Sequence, residues 1–439
     1  MTGWHGQAQR RHALSRASTR FLQQHAGDFG SGMPPFGFPI RVVFFSGGRL
    51  RLPQNDLKLS VGRSERIRRR LLAWYDRHRR DLPWRRRSTD AYAQWVAEVM
   101  LQQTRVETVL TYYAPFLRRF PTLGALARAP LEDVLKPWEG LGYYRRAINL
   151  HRAAGQLRQD GRPIPSTAAE LRKLPGIGTY TAAAVASIAF GERVAAVDGN
   201  VARVLARLFG VTEDATSALG RARLTNLATQ LLPLRRCGDF NQAWMDLGSM
   251  ICTPRSPRCG ECPLSRECVA LRAGQAGSLP LRRQRRPVPV VLTVVGIVVC
   301  GERVLVRRRA PRGLWAGLWE FPGQDGLPGA NERETARGLV RNLGLRRRSA
   351  LVRVGELTHR LTHRLLDFRV YRMPVASAHD PASPGVWRWV TAAELQRLPV
   401  CTAHRRLWAL ARATEVDATR AHLSGSGRTM RARGPRAAP

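Results

Sequence analysis

Four cysteines, Cys252, Cys259, Cys262 and Cys268, follow the spacing C-x6-C-x2-C-x5-C. The last three fit within ten residues, too close for an ordinary pair of disulfides and well placed to wrap one metal centre. Four thiolates without a histidine suit a structural zinc or a [4Fe–4S] cluster, and the spacing by itself leaves both open. Cys237, Cys300 and Cys401 are widely separated. An odd total with one tight group points to a reducing compartment and a metal site.

Two carboxyls stand in settings that could give them chemistry. Glu98 lies in the otherwise apolar stretch Trp95-Val-Ala-Glu-Val-Met-Leu101, which has helical periodicity. A desolvated carboxyl there has a raised pKa and suits a general acid; the plainer alternative is an exposed helix glutamate. Asp198 sits between the apolar run Val194–Val197 and a helix expected over Val201–Phe209, where a side-chain cap is the plain reading. Between them lies Leu174-Pro-Gly-Ile-Gly-Thr-Tyr-Thr-Ala182. Pro175 ends one helix, Gly176 and Gly178 allow a tight turn, and a new helix begins at Thr179 or Tyr180. Outward amides and a helix N-terminus offer donors to a phosphate, as in a helix-hairpin-helix element; an ordinary Gly-Pro turn is the alternative.

These residues need a scaffold, and composition bounds it. The 439 residues carry a net charge of +40, and all but Lys58, Lys136 and Lys173 of the basic side chains are arginine. Such a surplus calls for a polyanionic partner, most simply nucleic acid. Eleven arginines fall within Arg63–Arg87; some are expected on phosphate and most in solvent. Residues 1–60 read as a disordered extension or as sequence upstream of a misplaced start. Residues 61–272 read as an all-α domain of short helices, 273–289 as a linker, 290–412 as a smaller α+β domain and 413–439 as a disordered tail. Strands are expected over Val290–Val299, Arg303–Val306, Val352–Val354 and Phe368–Tyr371. No membrane span is expected, since the apolar run Val290–Cys300 is too short to cross a bilayer.

The hairpin, Asp198 and the cysteine spacing together resemble the endonuclease III superfamily of DNA glycosylases over roughly residues 65–272. Within it, Leu82-Pro-Trp-Arg85, Glu98-Val-Met-Leu-Gln-Gln-Thr104, Gly140-Leu-Gly-Tyr-Tyr144 and Asp198-Gly-Asn200 resemble the MutY-type adenine DNA glycosylases. The resemblance implies a [4Fe–4S] cluster in the cysteine loop; the basic stretch Thr253-Pro-Arg-Ser-Pro-Arg258 within it reads as a staple presenting Arg255 and Arg258 to the DNA backbone. It implies base excision repair, with adenine flipped out of a mispair with 8-oxoguanine or guanine and its glycosidic bond hydrolysed. Glu98 would protonate adenine, Asp198 would stabilise the oxocarbenium ion at C1′, and Asn200 would hydrogen-bond within this pair; two carboxyls in different protonation states suit such a cleavage. Tyr180 stands where lyase-active relatives carry a lysine, which implies a monofunctional enzyme. Gln102, Gln103 and Tyr143 would fill the gap and hold the orphan base, Gly176 and Gly178 would meet the backbone, and Gln242 would touch the adenine pocket. The competing readings are an endonuclease III-like oxidised-pyrimidine glycosylase and lyase, a silent DNA-binding protein, and a Nudix hydrolase with a DNA-binding arm.

Residues 290–410 resemble a MutT-like (Nudix-fold) domain through Gly313-Leu-Trp-Ala-Gly-Leu-Trp-Glu-Phe-Pro-Gly323. The Mg²⁺-binding glutamates of a working Nudix box are replaced by Gly338, Arg341 and Asn342, so no nucleotide hydrolysis is expected. The family's Phe-Ser-His lesion loop is Leu361-Thr-His363 here. Thr362 and His363 keep a hydroxyl and an imidazole for 8-oxoguanine, and Leu361 lacks the aromatic ring. A monomer acting on duplex DNA is expected, with no membrane partner, in the cytoplasm at the nucleoid if the source is bacterial.

Overall fold

The computed structural model describes residues 59–425, except 282–286, 327–330, 380 and 382–385, with side chains described through Thr414. The extension expected over residues 1–60 lies outside the described residues up to Lys58. Leu59 and Ser60 already belong to the fold: the Leu59 amide donates to Gln230 and Ser60 is the N-cap of the first helix.

Helices dominate residues 61–272. They are α1 (Val61–His78), α2 (Ala91–Leu101), α3 (Val106–Arg119), α4 (Leu123–Arg128), α5 (Leu131–Leu135), α6 (Arg145–Gln159), α7 (Ala168–Leu171), α8 (Thr179–Ala189), α9 (Gly199–Phe209), α10 (Ala218–Leu231), α11 (Cys237–Asp246) and α12 (Val269–Arg272). Side chains of Asp90, Thr122, Thr167, Asp198 and Ser217 each accept from an early backbone amide of the helix that follows, closing donors that would otherwise be orphaned. A π-turn, Leu247–Ile251, carries α11 into the cysteine loop.

Of the arginines of α1 and the segment after it, Arg66, Arg69, Arg77, Arg79, Arg86 and Arg87 are exposed, as expected, and the other five are half-buried on partners within the protein. Arg63, Arg66 and Arg70 face Glu267, Arg80 and Arg85 pair with fully buried Asp246, and Arg68 donates to the carbonyls of Gln230 and Leu231. These partners are roughly 160 to 200 residues away in sequence, which is why local pattern reads them as solvated. They fasten α1 to the cysteine loop and to α11.

The C-terminal part is a mixed sheet of β1 (Val290–Cys300), β2 (Arg303–Arg308), β3 (Trp319–Glu320), β4 (Gly323–Asp325), β5 (Val352–Arg360), β6 (Leu365–Pro374) and β7 (Trp387–Thr391). The order is β3-β2-β1-β6-β5, with β1 and β6 parallel, β4 also paired to β1, and β7 to β2. Helices α13 (Glu332–Asn342) and α15 (Thr402–Gly425) pack against it, and α14 (Ala392–Arg397) packs on β7. Strands β5 and β6 outrun the expected Val352–Val354 and Phe368–Tyr371. The extra length is polar on one face, as at Glu356, Thr358 and Arg360, and reads as loop without its partner. The disordered tail expected from residue 413 is corrected as well: α15 runs on to Gly425, because no glycine or proline interrupts Thr402–Ser424. Residues 426–439 lie outside the described residues.

The two halves share a core. Val134, Leu135 and Trp138 belong to one buried cluster with Val304, Leu318 and Leu407. Trp319 Nε1 donates to Glu132 at 3.1 Å, Arg405 grips Glu139, and Lys136 donates to the carbonyls of Gln396 and Leu398. The expected linker 273–289 is partly fold: Leu279 is buried and its carbonyl accepts from Arg207 at 2.8 Å. No helix among the described residues is long and apolar enough to cross a membrane.

Candidate active site and iron–sulfur loop

Helix α2 is buried continuously from Tyr92 to Met100, so Glu98 has no solvent-facing side to turn to and is only 3% exposed. Burial pushes its carboxyl up to about 7, against the hydroxyl of Tyr180 and the amide of Gln94, which favour the ionised form. Gln94 Nε2 lies 2.9 Å from Oε1, and Tyr180 Oη donates to Oε2 at 3.1 Å. The Gln94 amide can serve either state: its N–H₂ donates to a carboxylate and, turned over, its carbonyl accepts from the acid. Tyr180, in the second position of α8, also reaches the sulfur of Met245 at 3.5 Å. Its phenol is held well above the ordinary tyrosine range by burial and by both carboxylates, so it is a neutral donor at pH 7.

Asp198 caps α9. Its Oδ1 accepts from the Val201 amide at 2.7 Å and its Oδ2 from Asn200 Nδ2 at 3.0 Å. Burial raises its pKa, and the two amide donors, the Asn200 backbone and nearby Arg203 oppose the rise. The two carboxyls are therefore pushed apart: desolvation dominates at Glu98, and capping restrains it at Asp198. A cavity of about 860 Å³ opens along Thr179, Tyr180, Asp198 and Arg203, within the range that holds a nucleotide-sized ligand. Glu98 stands behind Tyr180 rather than on its wall.

A chain of hydrogen bonds runs from Asp198 into the cysteine loop. Arg203 Nη2 donates to Asn200 Oδ1 at 2.8 Å and to Gly248 O at 2.7 Å, while its Nε donates to Cys252 O at 2.8 Å. One turn on, Arg207 donates to Cys252 Sγ at 3.3 Å, Thr253 O at 2.7 Å and Pro254 O at 2.9 Å. Gly248 lets the π-turn approach α9: a Cβ there would sit 2.7 Å from Asn200 Cβ. Sequence reading missed Arg203 and Arg207. Their only local signal is an arginine on the buried side of an amphipathic helix.

The four cysteines carry no disulfide and lie near enough to raise one another. Burial first, and neighbouring thiols after it, push Cys262 up to about 12; a bound centre is what holds such thiols as thiolates. Among the described residues no three metal-ligating side chains meet closely enough to hold one ion. Four thiols of one short loop, near enough to raise one another, are the all-sulfur donor set that a [4Fe–4S] cluster takes. Arg255 and Arg258 are both exposed beside it, Arg258 also pairing with Glu261 at 2.9 Å and donating to Met250 O at 2.7 Å.

The remaining expected residues fall in two groups. In the hairpin, Gly176 adopts φ +79° with Asn149 packed where a Cβ would go, whereas Gly178 has open space over it. The amides of Thr179, Tyr180 and Thr181 are left at the α8 terminus as anion donors. Gln242 is buried on α11, one turn before Met245. Gln102 donates to Thr181 Oγ1 at 2.9 Å, and Gln103 and Tyr143 hold left-handed backbone at φ +57° and +48°, a costly conformation that clusters at functional sites. Buried Arg146 fixes both segments, donating to the carbonyls of Val99, Met100, Gln102, Leu141 and Gly142. Tyr143, 46% exposed, meets Thr362 of the C-terminal domain, oxygen to oxygen at 2.6 Å. His363 is exposed in the same β5–β6 hairpin loop. Gly338, Arg341 and Asn342 lie on α13, away from this face.

Fold and donor set define a helix-hairpin-helix glycosylase with an iron–sulfur loop and a Nudix domain. Residues 96–229 match the HhH-GPD superfamily of base excision DNA repair proteins, 252–268 the iron–sulfur binding domain of endonuclease III, and 294–410 the NUDIX domain. The chain is 37% identical over 398 residues to the adenine DNA glycosylase of Homo sapiens, covering 77% of this chain and 72% of that protein. It is 37% identical to that of Mus musculus, covering 78% and 77%. Among solved structures, a thermostable thymine-DNA glycosylase is similar at 31% identity and a TM-score of 0.45, over 48% of this chain and 98% of that one. The chain belongs to the adenine DNA glycosylase family, and its cofactor is a [4Fe–4S] cluster.

Proposed function

We propose that the enzyme hydrolyses the N-glycosidic bond of adenine mispaired with 8-oxoguanine or guanine in duplex DNA, and leaves the strand uncut. The observation that carries this is the buried Glu98 carboxyl, poised near pH 7 and bonded to a tyrosine at the position where a lyase would carry its amine. At neutral pH a large share of Glu98 is protonated and can give its proton to N7 of a flipped adenine. The C1′–N9 bond breaks, its electrons leave with the base, and the carboxylate of Asp198 faces the positive sugar. Water adds to C1′, and its proton returns to Glu98. Tyr180 keeps the acid oriented and offers no amine, and the nearest lysine, Lys173, is exposed and paired with Glu170. Cys252, Cys259, Cys262 and Cys268 would hold the cluster, whose cross-links would fix residues 252–268; Arg203 ties that loop to Asn200 and so to Asp198. Tyr143, Thr362 and His363 face the orphan purine, with Gln102 and Gln103 at the vacated position. The partner is duplex DNA and the working form a monomer, at the nucleoid in a bacterial cell.

The test is incubation of the purified protein with duplexes carrying adenine opposite 8-oxoguanine, adenine opposite guanine, or thymine glycol, scored with and without hot alkali. Breaks only after alkali, and only on the adenine strand, are expected. Direct breaks, or cleavage at thymine glycol alone, would overturn the reading.

A further inference from the structure

The turn Gly313-Leu-Trp-Ala-Gly317 leads into β3. Three of its residues hold left-handed backbone: Gly313 at φ +95°, Trp315 at +53° and Gly317 at +72°. Two are glycine, for which that conformation carries no steric penalty, and the third is the bulkiest side chain there is. A strained residue persists only where its surroundings over-determine it. Arg309 does so here. Its Nε donates to Leu314 O at 2.7 Å while its guanidinium pairs with buried Glu320, and Leu318 N closes back on Trp315 O at 3.1 Å.

The strain holds an indole in a particular place. One side of the ring lies against His404, edge to face at 5.8 Å, and near His359 at 6.0 Å. The rest, partly exposed, lines a groove of about 610 Å³ together with Tyr143, Leu361, Thr362 and His363. The hairpin position that would carry an aromatic is Leu361. The ring missing there stands across the groove instead, on a different loop.

We propose that Trp315 is a contact residue for the orphan purine, stacking its indole on the base left unpaired when the opposite adenine flips out. The proposal rests on the adenine-excision reading above. Stacking tolerates guanine and 8-oxoguanine alike. Trp315 therefore sets how tightly the orphan purine is held, and Thr362 and His363 are left to tell the two purines apart.

The experiment measures binding of the full-length, cluster-loaded protein to three duplexes. Each carries a non-hydrolysable adenosine analogue, placed opposite 8-oxoguanine, guanine, or a tetrahydrofuran site that has no base. Trp315→Leu should weaken binding to the first two about tenfold and leave the third unchanged, while Trp315→Phe should retain most of the affinity. Equal loss on all three duplexes, no loss on any, or a Phe variant as weak as the Leu variant overturns the proposal. Wild-type protein that binds the tetrahydrofuran duplex as tightly as the others overturns the orphan-base reading as well. A preference intact in wild type and in Trp315→Leu removes the role of Trp315 alone.

Discussion

Glu98 is buried in the helical core and Asp198 is half-buried as a helix cap, whereas Tyr143, Trp315 and Thr362 stand in a groove on exposed or strained backbone. The first pair owes its properties to desolvation: it raises both carboxyls, Glu98 up to about 7, and at Asp198 amide donors oppose the rise. The second set owes its placement to clamps one step back, Arg146 on the carbonyls of Gly142 and Tyr143 and Arg309 on that of Leu314. Chemistry and recognition thus fail in different ways when perturbed. Changes in the pocket should alter the rate at a given affinity, and changes in the groove should alter affinity at a given rate.

The largest effect should follow from the carboxyls. Glu98→Gln and Asp198→Asn are each expected to lower single-turnover adenine excision by about 10³-fold with duplex affinity nearly unchanged. A parallel loss of affinity would blur the division. Next comes the cost of keeping Glu98 buried. Its folded pKa of about 7 lies above the unfolded 4.5, so the folded state binds this proton more tightly, and that stabilisation is complete below 4.5 and lost as pH rises through 7. Glu98→Gln should therefore be more stable than wild type at pH 8, by about 3 kcal/mol, and the gain should shrink toward zero at pH 4.5 in denaturant melts.

Arg203→Gln cuts the link from Asn200 to Cys252. It should lower the rate roughly tenfold and reduce iron per protein, since Gly248 O loses this donor and Cys252 O keeps only the longer contact from Arg207 at 3.4 Å. Rate and iron absorbance read together check it, and full rate with lost iron would separate loop from pocket. The smallest effect belongs to Thr362→Val, which removes the hydroxyl that meets Tyr143. Affinity for the 8-oxoguanine duplex should fall by about fivefold, the worth of one hydrogen bond, with the excision rate of bound substrate kept.

Sequence carried much of this, unevenly. Cysteine spacing, the apolar run around Glu98, the cap at Asp198 and the hairpin glycines are local patterns, and local patterns survive in one dimension. The arginines do not. Arg146, Arg203 and Arg207 act through backbone carbonyls about 40 to 70 residues away, and no spacing announces such a contact. Gln94 is legible only in hindsight, one turn before Glu98 on the same helix. Trp315 is different: its stretch carries the resemblance to the Nudix fold, but its left-handed backbone and its place in the groove depend on Arg309 and the β5–β6 hairpin, which the local sequence does not show.

The central claim, that Glu98 is the proton donor, is tested most directly by the pH dependence of single-turnover adenine excision. The rate should fall as pH rises through about 7, when Glu98 loses its proton, and fall again at low pH as Asp198 is neutralised. In Glu98→Gln the alkaline limb should disappear from the small residual rate. A wild-type rate that stays level from pH 6 to pH 9, or an alkaline limb that persists in Glu98→Gln, would contradict the account.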